Sequence, residues 1–138
     1  MSILFTILSV AYVAGIFLWA DSPIVEELSA FNPLSLLHIP LYGVLTLLLM
    51  FSKLTFEFFN QTNQANSTSP INPINPINPI SFLIPGLIAF IVAIADEIHQ
   101  AYIPGRDASI IDVILDLSGI VLVLIVIHQI RRKKVMGN

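Results

Sequence analysis

IIDVILDLSGIVLVLIVI, residues 110–127, is eighteen residues long and carries two charges, Asp112 and Asp116. In an α-helix it would rise about 27 Å, close to the roughly 30 Å of a bilayer's hydrocarbon core, so the stretch predicts a transmembrane helix. Carboxylates are costly in hydrocarbon unless partnered, which makes both acids candidate functional groups. His128 and Arg131-Arg132-Lys133-Lys134 follow and read as a basic anchor against an anionic lipid surface.

Three further apolar runs lie upstream. Ile3 to Ala20 holds eighteen residues without a charge and ends beside Trp19, a suitable interfacial anchor. It lacks the basic n-region of a signal peptide and is expected to stay as a helix. A second run, from about Leu36 to Phe51, carries His38 and Tyr42 in its first two turns. The third, Ile80 to Ala95, contains Pro85-Gly86 near its start, where proline is best tolerated, and ends in Asp96-Glu97-Ile98-His99-Gln100.

The segments between the runs are of two kinds. Asp21-Ser22-Pro23 with Glu26 and Glu27 makes a helix start, and Ile24, Val25, Leu28 and Phe31 could share a face, so a short interfacial helix is expected between the first two spans. Residues 53–79 turn to Asn, Gln, Ser and Thr and then repeat Ile-Asn-Pro three times at 71–79. Proline at every third residue blocks both helix and sheet ladders, so an extended solvated linker is expected. Asn60-Gln61-Thr62 and Asn66-Ser67-Thr68 match the glycosylation sequon, which has no meaning on a cytoplasmic loop.

Composition agrees with the runs. The chain has 138 residues, 56% hydrophobic and 11% charged, and a mean hydropathy of +0.87, outside the range of a soluble domain of this size. The expected fold is all-α: one polytopic membrane domain over residues 1–138, with four transmembrane helices at about 3–20, 36–52, 80–100 and 109–128. A net charge of −3 with no basic stripe argues against nucleic acid, and the absence of cysteine excludes disulfide and thiolate chemistry. With both termini cytoplasmic, five of the six Lys and Arg residues lie inside and only Arg106 outside, the arrangement that the positive-inside rule prefers. His38, Glu97, Gln100, Arg106, Asp112 and Asp116 then all fall near the outer face.

Spacing groups these residues further. Ser109, Asp112, Asp116 and Gly119 follow one another at intervals of 3, 4 and 3 and line one helix face, where Gly119 would permit close approach of a neighbour. Glu97 and Gln100, at i and i+3, are the pair expected to face inward, leaving His99 to point elsewhere. Pro104-Gly105-Arg106 forms a turn that would carry the guanidinium back over the acids, where its planar fork can hold a carboxylate or phosphate.

Glu97-x-x-Gln100, Pro104-Gly105-Arg106, Ser109, Asp112 and Gly119, in this order, resemble the motif of the VanZ-like family. His38-x-x-x-Tyr42 is similar to that family's earlier motif. The sequence departs from the pattern at Leu34-Ser35, where the family usually has an Asp-Lys pair, and at Asp116, where asparagine is common. The resemblance implies a bacterial cell-membrane protein linked to envelope biology, since the family's namesake is associated with resistance to the glycopeptide teicoplanin. It implies no reaction.

The favoured reading is a non-enzymatic pocket formed by His38, Tyr42, Glu97, Gln100, Arg106, Ser109, Asp112, Asp116 and Gly119. It would bind an envelope lipid intermediate, an antibiotic or a partner protein, with Arg106 receiving a phosphate or carboxylate. The alternative is an intramembrane enzyme acting on a lipid-linked substrate, with Glu97 or Asp112 as general acid or base, His38 as counterpart and Arg106 stabilising anionic charge. His38, Glu97, Asp112 and Asp116 are also metal-ligand types, but no tight ligand spacing joins them, so neither metal nor cofactor is expected. Apolar helices below the charged ends argue against an ion path through the bundle.

Overall fold

The structure is a computed structural model that describes residues 2–20, 32–52, 80–104 and 108–136. Its described residues form four α-helices and no strand: α1 (Ser2–Ala20), α2 (His38–Phe51), α3 (Ile80–Gln100) and α4 (Ile110–Met136), with a 3-10 helix (Asn32–Leu37) running directly into α2. Three of them, α1, α3 and α4, are long and apolar enough to cross a membrane, and Ser35–Phe51 is a shorter apolar helix. This is an all-α polytopic membrane protein, as the apolar runs predict. The expected interfacial helix and the linker at 53–79 lie outside the described residues.

The fourteen residues of α2 alone would rise only about 21 Å, short of the bilayer core. The six residues of the 3-10 helix, at about 2.0 Å each, add roughly 12 Å and make up the difference. At the other extreme α4 runs to Met136, beyond the expected end near residue 128. Nothing in Arg131-Arg132-Lys133-Lys134 stops a helix, because arginine and lysine are good helix formers.

Helix α2 is the centre of the bundle, packed against α1, α3 and, most extensively, α4. Its core is made by Tyr42, Leu45 and Leu49 with Ile16 of α1, Ala89 and Ala93 of α3 and Ile120 of α4. Small residues set the spacing. A Cβ on Gly119 would strike the backbone carbonyl of Ile39, and one on Gly43 would lie 3.3 Å from Val123 Cγ2. Two backbones therefore nearly touch where α2 and α4 cross, the close approach by which membrane helices gain van der Waals contact without a hydrophobic drive.

Outer faces are apolar and open: Ile3, Leu4 and Ile7 on α1, Leu83, Leu87 and Ile91 on α3, and Ile111, Ile114 and Leu122 on α4 are exposed. Hydroxyls inside the bundle turn back on their own helix, Ser9 donating to the Phe5 carbonyl and Thr46 to that of Tyr42, so neither is left unpaired in a dry setting.

Candidate functional site

Three helix ends meet at one end of the bundle: the start of α2, the end of α3 and the start of α4. His38, the first residue of α2, hydrogen-bonds through Nδ1 to Oδ1 of Asp116, two turns into α4, at 2.9 Å. The Asp116 side chain is fully buried, and 13% of the His38 side chain is accessible. One turn further along α2, the Tyr42 hydroxyl donates to Asp96 Oδ2 across 3.2 Å. The backbone N–H of Ser109 donates to Glu97 Oε2 at 2.8 Å.

The last bond has a local cause. Ser109 precedes the first residue of α4, and its carbonyl accepts from the amides of Asp112 and Val113. Its own N–H is thus one of the amides at a helix N-terminus that lack an intrahelical partner, and a carboxylate there also meets the positive end of the helix dipole. Glu97 supplies it. Beyond Gln100 the end of α3 tightens, Tyr102 N–H donating to the His99 carbonyl and Ile103 N–H to that of Gln100, before Pro104.

Most of the predicted residues lie in this cluster. His38, Tyr42, Glu97, Ser109 and Asp116 make the bonds just described; Gln100 is buried beside Glu97's turn; Asp112, partly buried, faces the same end; Gly119 lies below, under Ile39. Arg106 lies outside the described residues. His99 points elsewhere as expected, its ring edge-on to Phe17 of α1 at 5.4 Å, and Tyr102 is exposed.

Sequence reasoning passed over Asp96, which is as deeply buried as Glu97 and accepts from Tyr42. One signal for it existed. A tyrosine inside a membrane helix needs an acceptor for its hydroxyl, and Asp96 shares a face with Gln100 at i and i+4.

The cluster holds more acceptors than donors among the described residues. Among the described residues Glu97 Oε1, Asp112 Oδ1 and Asp116 Oδ2 are buried with no hydrogen-bond partner. One ring nitrogen of His38 and one carboxylate oxygen from each of Glu97 and Asp116 lie within 4.8 Å of one another, close enough to share an ion. Each comes from a different helix, so no sequence motif could announce the set.

Beside the cluster, a recess of about 300 Å³ opens between the end of α3 and the start of α4, lined by Ile94, Ile98, Ala101, Tyr102, Ile110 and Val113, with Glu97 and Ser109 among its walls. It is an apolar trough leading to a carboxylate.

No curated protein and no solved structure matches the chain. The model of the VanZ/LLP1 family matches residues 5–131. That match spans nearly the whole chain, with α2, α3, most of α1 and α4 and the cluster at the helix ends inside it, and the protein therefore belongs to the VanZ/LLP1 family.

Proposed function

We propose that this protein is a binding module of the cell membrane, whose polar pocket faces the extracytoplasmic side and takes the anionic headgroup of an envelope lipid intermediate. The observation that carries this reading is the apolar recess joined to the polar cluster. An acyl or polyprenyl chain suits the first and a headgroup the second, and the recess opens beside exposed Ile98, Tyr102 and Ile110, where lipid would arrive. Orientation is supported by the basic residues, which favour cytoplasmic termini and so put the starts of α2 and α4 outside.

The test is binding of a polyprenyl phosphate, presented in nanodiscs, to the purified protein. Arg106→Ala is expected to weaken binding about tenfold or more, through loss of a charge-assisted contact, while Glu97→Gln and Asp112→Asn retain appreciable affinity. Equal binding by wild type and Arg106→Ala would sink the reading. A glycopeptide role is tested separately, by the teicoplanin susceptibility of cells with and without the gene.

The His38–Asp116 pair at 2.9 Å supports a second reading, an intramembrane acid–base enzyme on a lipid-linked substrate. In that case Asp116 holds the imidazole in one tautomer and Glu97 or Asp112 exchanges a proton with substrate. Loss of turnover in Glu97→Gln or Asp112→Asn with lipid affinity unchanged would favour it over the binding module.

A further inference from the structure

Four carboxylates, Asp96, Glu97, Asp112 and Asp116, gather at one end of the bundle, where His38 brings an imidazole to Asp116. An anionic headgroup approaching such a site meets repulsion unless positive charge stands between. Two of the acids carry the strongest demand. Asp116 is 0% exposed and Glu97 5%, and each has one carboxylate oxygen engaged while the other is buried without a hydrogen-bond partner among the described residues. Leaving such atoms dry and unpaired costs more than a marginally stable fold readily bears.

We propose that His38, Glu97 and Asp116 form a divalent-cation site of the zinc type. Their ligand atoms lie within 4.8 Å of one another, and His38 Nδ1 and Asp116 Oδ1, at 2.9 Å, need only move apart by a few tenths of an ångström to span the edge, about 3.4 Å, of a tetrahedral shell with bonds of about 2.1 Å. One imidazole nitrogen with two carboxylate oxygens suits Zn²⁺ or a neighbouring transition ion rather than Ca²⁺ or Mg²⁺, which favour all-oxygen shells.

The supports of the three ligands are already in place. Glu97 is held by the Ser109 N–H, His38 is fixed at the first residue of α2, and the backbone contact of Gly119 with Ile39 sets the distance between α2 and α4. Three protein ligands leave a coordination position open, and a phosphate oxygen can occupy it. That last step rests on the lipid-binding reading; the cation site itself does not.

The test uses the full chain, purified in detergent after chelation and titrated with Zn²⁺ against a chromophoric indicator. One equivalent per chain is expected, not displaced by millimolar Mg²⁺ or Ca²⁺. His38→Ala, Glu97→Gln and Asp116→Asn should each bind at least about tenfold more weakly, and His128→Ala, at the far end of α4, should bind as wild type does. Because a ligand variant can fail by misfolding, the Co²⁺-loaded wild type gives an independent readout: visible d–d bands of a site with one imidazole and oxygen donors. Absence of saturable binding, binding undiminished in all three variants, or binding that appears only in Arg106→Ala would overturn the proposal, the last by showing that arginine fills the site. Loss of polyprenyl phosphate binding with Zn²⁺ stoichiometry intact would sink the lipid reading and leave the cation site standing.

Discussion

Individual positions differ sharply in what they tolerate, and Gly119 tolerates least. The atom its missing Cβ would strike is a backbone carbonyl of α2, which cannot swing aside, whereas the atom nearest a Cβ on Gly86 is Leu124 Cδ1, the free end of a flexible side chain, at 2.9 Å. Gly119→Ala should therefore lower stability in detergent by about 1–3 kcal/mol and Gly86→Ala by less than about 1 kcal/mol, read as thermal midpoints of the purified proteins. Equal losses would mean that α2 and α4 can separate without cost. Gly119 was legible in the sequence as a close-approach residue, because a glycine one turn below two acids on an apolar helix has few other uses. The bond from His38 to Asp116 was legible only as a candidate, since membrane carboxylates need partners and His38 and Arg106 both offered one, and over 78 residues nothing local chose between them. Asp96 was missed for a different reason: adjacent acids at the end of a helix point to neighbouring faces, and here both faces are enclosed, that of Asp96 by Tyr42.

Helix ends, more than helix bodies, carry the site. The apolar runs marked out α1, α3 and α4 well because hydrocarbon thickness imposes a length on any helix that crosses it. They could not show that α2 begins at His38 only after a 3-10 segment, nor that α4 continues to Met136, since both depend on backbone hydrogen bonding that hydropathy does not report. The start of α4 offers a direct check. Glu97 accepts from the backbone of Ser109, so Ser109→Ala keeps the bond and Ser109→Pro abolishes it. Zn²⁺ affinity within about twofold of wild type is expected for the alanine variant and a loss of about tenfold for the proline one. Similar losses in both would assign the role to the serine hydroxyl instead.

At the level of the whole molecule, the directions of the helices and the basic residues make one prediction about sidedness. The chain has no cysteine, so a single one can be placed at will. Tyr102→Cys, at an exposed position just past α3, should react with a membrane-impermeant maleimide in intact cells, and a cysteine appended after Asn138 only after lysis. The reverse pattern would put the pocket on the cytoplasmic side. The central position of α2 has a consequence for biosynthesis. Its apolar stretch, Ser35–Phe51, is shorter than the other three and carries His38, Tyr42 and Thr46, so it is the span least able to partition into lipid unaided. Its polar groups are satisfied by α4, α3 and its own backbone. Two of those partners leave the ribosome after it does, so α2 is seated only once α3 and α4 have followed it, and a chain cut short before α4 cannot assemble the polar cluster at the helix ends.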